Sequence, residues 1–243
     1  RAAIAAGAPS IELDTHPAAD GTLVVIHDAT VDRTTGGTGA VSSLSLEALR
    51  RLDAGAIRGP EFAGEKIPLL AEVFELLAPT AVRLNIEIKA SPPGRNVPAA
   101  LMALLERFGK RREYVVSSFD LQALLQVRAL APDVALALIG NGPDILPAAR
   151  QHRLPWIHPY HKTADAALMA AAHGAGLRVN VWTVDDPADY PRWAALGVDK
   201  LCTNRPADLL KAQNRFLDIG SGDPVKAAGP RGIPERPEPR PAG

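Results

Sequence analysis

Cysteine and long apolar runs are scarce in this sequence of 243 residues, and each shortage excludes a class of protein or site. The one cysteine, Cys202, excludes an intramolecular disulfide and a cysteine zinc cluster. No run approaches the ~20 apolar residues of a membrane-spanning helix, so stable membrane insertion is not expected. Lysine plus arginine and aspartate plus glutamate both number 27, and this balance gives no reason to expect nucleic acid as a partner.

Several catalytic signatures are missing as well. The sequence contains no HExxH, GxSxG, P-loop or CxxC motif, which argues against zincins, α/β-hydrolases, nucleoside triphosphatases and thiol redox enzymes. No signal peptide is visible, because Arg1 leads directly into an alanine-rich segment that is typical of the middle of a helix. We therefore expect a cytoplasmic protein, and a signal peptide lost with residues that precede Arg1 is the alternative.

The distribution of apolar residues favours an α/β protein. Hydrophobic residues make up 47% of the chain, and much of that share is alanine, which suits helices packed closely on a sheet. Strand and helix patterns alternate from residue 83 onward, and such repeated units imply a parallel sheet covered by helices. The predicted strands are residues 11–14, 22–26, 83–88, 114–117, 134–139, 156–158, 177–184 and 199–202. The predicted helices are residues 45–52, 70–77, 97–108, 121–130, 145–152, 164–173, 188–195 and 207–212, with a helix end at residues 1–6.

We predict a TIM (β/α)8 barrel that is N-terminally truncated by about one βα unit. Residues 22–26 are interpreted as an excursion from the first connection, which leaves seven core strands where a barrel needs eight. The helix end at residues 1–6 fits the tail of a missing first unit. A doubly wound open sheet is the alternative, but its glycine fingerprint is absent. The barrel is predicted to span residues 1–213, and the Pro- and Gly-rich residues 214–243 to form a disordered tail.

Two carboxylates and a histidine stand at the ends of the first two apolar runs. Glu12 and Asp14 share one face of a strand, where they repel each other unless a cation or a proton lies between them. This pattern suggests a hard divalent metal, which prefers oxygen ligands. His27 ends the second run and could act as an acid or base near neutral pH. The alternative is a polar strand end with His27 as a hydrogen-bonded turn residue.

Further candidates lie at the ends of later strands, where barrels carry their functional groups. Alternation places Asn85, Glu87 and Lys89 on one face, and Glu87 could complete a three-carboxylate site for Mg²⁺ or Ca²⁺. Lys89 could neutralise a substrate phosphate, or it could form a salt bridge to Glu87. Trp182 could line the pocket, although barrel core is the simpler expectation for a lone tryptophan.

Three histidines and a glycine-rich segment have weaker signals. His16 precedes Pro17 and is expected in a turn. His158 and His161 are expected after a short strand at the functional rim, where they could line the pocket with Tyr160 and Lys162. Residues 32–39, DRTTGGTG, form a glycine-rich loop that fits neither the P-loop nor the dinucleotide spacing. A plain loop is the simpler interpretation of that segment.

The segment IELDTHPAADGTLVVIHDATVDRTTGGTG resembles the bacterial cytosolic type of the glycerophosphodiester phosphodiesterase family. An ExD pair, a DG turn, an HD pair and RTTxGxG follow in the family's order. The resemblance extends over roughly residues 1–212. It continues in the segments FAGEKIPLLAEVFELL, LNIEIK, VVSSFD, GLRVNVWTVDDPAD and LGVDKLCTNRP.

The resemblance implies a TIM barrel that hydrolyses glycerophosphodiesters to glycerol 3-phosphate and an alcohol with a divalent cation. It implies that Glu12, Asp14 and Glu87 bind the metal, that His27 is one of two catalytic histidines, that Lys89 contacts the phosphate and that Trp182 lies by the glycerol. The family's His-Arg-Gly motif, which supplies the other catalytic histidine and a phosphate-binding arginine, is expected upstream of Arg1. Residues 1–243 alone are therefore expected to be impaired in catalysis.

Two other functions are compatible with the same fold. One is a lysophospholipase D or sphingomyelinase D type of phosphodiesterase, which would require an apolar, membrane-facing rim that the sequence does not obviously carry. The other is a non-catalytic barrel that binds a phosphate ligand.

Overall fold

The computed structural model describes residues 1–90, 94, 96–109 and 114–220, and its centre is one curled sheet with helices between successive strands. The strands are β1 (Ser10–Pro17), β2 (Leu23–Val25), β3 (Arg83–Ile88), β4 (Tyr114–Ser118), β5 (Ala135–Gly140), β6 (Trp156–Pro159), β7 (Arg178–Val181) and β8 (Lys200–Leu201). The helices are α1 (Ala2–Ala5), α2 (Leu46–Arg51), α3 (Leu70–Leu77), α4 (Val97–Phe108), α5 (Leu121–Leu130), α6 (Ile145–Gln151), α7 (Ala166–Gly174), α8 (Tyr190–Ala195) and α9 (Pro206–Gly220).

The sheet has the strand order β2-β1-β3-β4-β5-β6-β7-β8. Strand β2 pairs antiparallel with β1, and every other neighbouring pair is parallel. The described residues thus contain the seven parallel strands that were predicted, and β2 is the predicted excursion from the first connection. No described strand joins β8 back to β1, so this part of the chain forms an incomplete, curled barrel.

Local signals define the helix starts. Side-chain oxygens of Ser45, Asn96, Asp120 and Asp165 accept hydrogen bonds from backbone N–H groups in the first turns of α2, α4, α5 and α7. These bonds satisfy donors that have no partner inside the helix. The bounds of α3, α4 and α5 agree with the predicted residues 70–77, 97–108 and 121–130.

Several positions differ from the prediction or sharpen it. His16 and Pro17 lie inside β1 rather than in a turn, because they pair with Val24 and Leu23 of β2. His158 lies inside β6, as the predicted strand 156–158 implied, and not at a rim after the strand. Helix α9 continues to Gly220 instead of ending at residue 212, so it enters the segment predicted to be a tail. Residues 221–243 lie outside the described residues, and the division into a barrel and a tail stays a prediction.

Two hydrophobic clusters stabilise the fold. The large one lies between the parallel strands and their helices, and it includes the buried rings of Phe74 and Tyr114, whose centroids are 5.2 Å apart. The smaller one lies under β2 and the loops that follow, with Val31, Leu49 and Ile67 almost fully buried. Each such side chain contributes roughly 1.5–3 kcal/mol on burial. The excursion is therefore a packed part of the molecule and holds the chain between β1 and β3 against the sheet.

Among the described residues, no helix is both long enough and apolar enough to cross a membrane.

Candidate functional site

Three carboxylates meet where β1 and β3 approach their C-terminal ends. The two strands are parallel neighbours, with Asp14 opposite Glu87 and Glu12 opposite Asn85. Since side chains two residues apart share a face, all three acids project from the same side of the sheet. One oxygen from each of Glu12, Asp14 and Glu87 lies within 4.8 Å of the others. The structure thus brings together the three residues that the sequence suggested, as a group that could hold a metal ion.

Lys89 extends into this carboxylate group from the end of β3. Its Nζ lies 2.9 Å from Asp14 Oδ1 and 2.6 Å from Glu87 Oε1. Burial by itself would lower the pKa of Lys89, but the hydrogen bonds to Glu87 and Asp14 outweigh that effect and raise the pKa. The salt bridge to Glu87 anticipated from the sequence is present, and it is shared with Asp14.

The charge of the cluster is only partly compensated. Glu12 touches solvent, but the surrounding protein removes much of its hydration, and this desolvation raises its pKa to about 8, with repulsion from Asp14 and Glu87 adding to the shift. Burial also raises the pKa of Glu87. One ammonium group cannot neutralise three carboxylates, whereas a hard divalent cation prefers carboxylate oxygens as ligands. The donor set therefore fits such an ion.

Two uncharged polar side chains border the acids inside the sheet. Asn85, which sequence alternation placed on the face of Glu87, is buried, and Ser117 on β4 lies opposite Glu87. Within the described part of the chain, Asn85 Oδ1 and Ser117 Oγ have no hydrogen-bond partner. Sequence reasoning missed Ser117, although the alternation in VVSSFD would have placed it on this face.

His27 lies on the loop that leaves β2 beside the carboxylates. The backbone N–H of Ile26 donates to Asp14 O at 3.1 Å, which ties this loop to β1 next to a cluster residue. The buried ring of His16 lies behind it, with Nε2 donating to His27 O at 3.2 Å. The His27 side chain is 65% exposed, and its Nδ1 lies 2.7 Å from Asp28 Oδ1. An exposed imidazole is accessible to a substrate.

Trp182 belongs to the rim of the sheet and not to the barrel core. It follows β7, is half-buried, and its Nε1 donates to His158 O at 2.7 Å. Its ring contacts Tyr160, with centroids 5.1 Å apart, and Phe119, with centroids 5.8 Å apart. Phe119 follows β4 and is 51% exposed. An aromatic surface thus forms at the same end of the strands as the carboxylates.

The expectation that His158 lines an open rim is wrong. Its side chain is buried within β6, and that burial lowers its pKa to about 3. A histidine with this pKa is neutral at physiological pH and is a structural group of the barrel interior. His161, which was expected beside it, is half-buried at the rim, with its ring 4.7 Å from that of Tyr160.

Comparison with known proteins identifies the family. Residues 1–208 match the Glycerophosphoryl diester phosphodiesterase family. The chain belongs to this family. It is 36% identical over 209 residues to a glycerophosphodiester phosphodiesterase of Caldanaerobacter subterraneus, and the aligned region covers 84% of this chain and 85% of the relative. It is 31% identical over 222 residues to a glycerophosphodiester phosphodiesterase of Bacillus altitudinis, and that alignment covers 88% of this chain and 90% of the relative.

Solved structures agree with this assignment. A phosphodiesterase of Oleispira antarctica, solved in complex with the product sn-glycerol-3-phosphate, superposes with a TM-score of 0.82 at 25% identity, covering 86% of this chain and 87% of that one. A glycerophosphodiester phosphodiesterase of Agrobacterium tumefaciens gives a TM-score of 0.75 at 29% identity, covering 88% of this chain and 90% of that one. The TIM-barrel fold and the family suggested by the sequence are both confirmed. As a glycerophosphoryl diester phosphodiesterase family member, the chain is a phosphoric diester hydrolase.

Proposed function

We propose that the protein hydrolyses glycerophosphodiesters to sn-glycerol 3-phosphate and an alcohol, with a divalent cation and with His27 as an acid–base group. The observation that carries the proposal is the convergence of Glu12, Asp14 and Glu87 within 4.8 Å in a chain of this family. The Oleispira antarctica neighbour, which was solved with sn-glycerol-3-phosphate, supports this product.

In this proposal, Glu12, Asp14 and Glu87 hold Mg²⁺ or Ca²⁺. The bound ion would supply positive charge to a non-bridging oxygen of the phosphodiester, where negative charge increases during displacement. Lys89 contributes the same kind of stabilisation from the protein itself, since its ammonium group lies against two of the three carboxylates. Such preformed charges stabilise the transition state without having to reorganise during the reaction.

His27 moves a proton at one side of the phosphorus. Its exposed imidazole either activates a water or glycerol hydroxyl nucleophile or protonates the leaving alkoxide. In-line displacement needs an acid and a base on opposite sides of the phosphorus, so His27 requires a partner. The resemblance to the family implies that this partner is a second catalytic histidine. Trp182, half-buried at the rim, is proposed to contact the glycerol end of the substrate.

The proposal is tested by replacing one carboxylate in the full-length protein. Glu87→Gln keeps the size of the buried side chain but removes its charge, and Glu75→Gln changes an exposed glutamate on α3 as the matched control. We expect release of glycerol 3-phosphate from glycerophosphocholine to fall at least about 100-fold in Glu87→Gln. Glu75→Gln should keep the unmodified rate. Wild-type turnover in Glu87→Gln would contradict the metal assignment.

A second candidate function is hydrolysis of lipid phosphodiesters, and the exposed ring of Phe119 beside Trp182 favours it. Exposed aromatic side chains at a rim can contact an acyl chain or a membrane surface. The same assay with lysophosphatidylcholine distinguishes the two functions. Faster turnover of glycerophosphocholine, little affected by Phe119→Ala, supports the first function. Faster turnover of the lipid, reduced by Phe119→Ala, supports the second.

A further inference from the structure

The glycine-rich loop after His27 is an ordered structure. Backbone hydrogen bonds cross it twice, from Val31 N to Gly39 O at 3.1 Å and from Val41 N to Ala29 O at 2.9 Å. These bonds close residues 29–41 into a compact loop that resembles a short hairpin. The loop therefore has a defined conformation and can hold a side chain in a fixed place.

Packing anchors the loop to the small hydrophobic cluster under β2. Val31 is fully buried, and the buried Thr35 hydroxyl donates to Val31 O at 2.7 Å. Gly37 lies so close to Leu52 that a Cβ at this position would be 2.6 Å from Leu52 Cδ2. A side chain at this position would force the Leu52 side chain to shift, so the glycine has a packing explanation that needs no phosphate-binding role.

The loop directs Arg33 at Asp28. Arg33 Nε lies 2.6 Å from Asp28 Oδ2, and Arg33 Nη2 lies 3.0 Å from Asp28 Oδ1, which is the two-point geometry of a guanidinium and a carboxylate. Asp28 Oδ1 is also 2.7 Å from His27 Nδ1. The three side chains thus form a chain of hydrogen bonds from the loop to the imidazole.

The ionisation of Asp28 determines which imidazole nitrogen carries the proton. The hydrogen bonds from Arg33 and then from His27 hold the pKa of Asp28 well below its usual range, so its carboxylate is charged at neutral pH. A charged carboxylate can only accept a hydrogen bond. His27 must therefore donate from Nδ1, which leaves Nε2 as the nitrogen that can accept a proton.

We propose that Asp28 and Arg33 are positioning residues for His27: Asp28 orients the imidazole and fixes its tautomer, and Arg33 fixes Asp28. The inference rests on the proposed acid–base role of His27. Because His27 is 65% exposed, water competes for its Nδ1–H, and a carboxylate held at two points resists that competition better than a freely rotating one. The glycine-rich loop serves to hold the Arg33 guanidinium group against Asp28.

The test is nitrogen-detected NMR of the imidazole rings in ¹⁵N-labelled protein, with His27→Gln used to assign the His27 signals. In the unmodified protein we expect His27 as the Nδ1–H tautomer. In Asp28→Ala it should shift to a majority of the Nε2–H form, which dominates in free imidazole side chains. Arg33→Gln should give a mixture of the two His27 tautomers. Arg33→Lys should restore the Nδ1–H tautomer only in part, because lysine cannot bind the Asp28 carboxylate at two points.

Two controls keep the NMR result interpretable. Arg150→Gln changes an exposed arginine on α6 and should leave the His27 tautomer unchanged. The signals of His158, buried inside β6, report whether each variant is folded. An unchanged His27 tautomer in folded Asp28→Ala, or a His27 spectrum of Arg33→Gln identical to that of Arg150→Gln, would overturn the proposal.

Kinetics of the full-length protein separate this proposal from the proposed function. Asp28→Ala should lower kcat by roughly 10–100-fold with little change in KM, as expected for loss of an orienting partner. If turnover depends on Glu87 but the tautomer and kcat do not depend on Asp28, the positioning proposal fails alone. If the protein does not hydrolyse phosphodiesters, the proposed function fails, and the NMR measurement still decides whether Asp28 and Arg33 orient His27.

Discussion

At the scale of single residues, Lys89 shows how an ion pair and a functional site can share the same groups. The sequence suggested either a contact with substrate phosphate or a salt bridge to Glu87, and the structure contains the salt bridge together with a second one to Asp14. The ammonium group reduces the repulsion among the acids but leaves net negative charge. The same cluster is therefore stable enough to form and still suited to a cation.

His158 provides a pH-dependent prediction at the residue scale. Its pKa is about 3 in the folded protein because the side chain is buried, against ~6.5 in an unfolded chain. Between these values the unfolded state binds more protons, so stability falls as the pH falls through this window and is unaffected above it. From pH 7.5 to pH 5, the wild type should lose about 2 kcal/mol more free energy of unfolding than His158→Gln.

Urea denaturation at the two pH values measures this difference. The comparison across pH cancels any constant effect of the substitution on stability, and the other five of the six histidines are common to both proteins. Equal losses in the wild type and in His158→Gln would contradict a buried, neutral His158.

The residues of the site differ in how readily the sequence predicts them. Glu12, Asp14, Glu87 and Lys89 follow from the two-residue period of a strand and from the rule that parallel barrels carry function at strand ends. The contact of Arg33 with Asp28 depends on the conformation of a loop, and side chains in a loop do not follow a regular spacing that a sequence pattern could reveal. Sequence spacing therefore predicted the carboxylate cluster but not the hydrogen bonds around His27.

At the scale of elements, several helices were predicted well and short strands less so. Residues 70–77, 97–108 and 121–130 carry strong helical patterns and agree with α3, α4 and α5. The predicted strand 177–184 is shorter in the structure, Arg178–Val181, and beyond it Trp182 forms only an isolated parallel bridge with Tyr160. Pairing with β2 drew His16 and Pro17 into β1, and only tertiary contacts determine such pairing.

Helix α7 allows a direct test of the capping argument. The exposed Asp165 accepts a hydrogen bond from Leu168 N at 2.8 Å at the start of this helix. Asp165→Ala should destabilise the protein by about 1 kcal/mol, because a first-turn N–H loses its partner, whereas Asp165→Asn should keep most of the bond. The midpoint of urea unfolding checks both variants. Equal stabilities of Asp165→Ala and Asp165→Asn would show that this cap does not stabilise α7.

At the scale of the whole molecule, the curled parallel sheet and the packed excursion together assemble the site. Strands β1 and β3 supply the carboxylates through their register, and the loop after β2 carries His27 to the same end of the sheet. Alternating strands and helices made the barrel predictable from sequence. The packing of the excursion under β2 was not predictable, because its hydrophobic residues are dispersed over several irregular segments.

The central claim is that Glu12, Asp14 and Glu87 hold a divalent cation, and calorimetric titration of chelator-treated protein with Mg²⁺ or Ca²⁺ tests it most directly. Replacing a charged ligand of a hard cation should weaken binding strongly, whereas an exposed glutamate on a helix should not matter. We predict one ion bound per chain in the wild type and in Glu75→Gln, and no detectable binding in Glu87→Gln. Absence of binding in the wild type, or equal affinity in Glu87→Gln, would contradict the account.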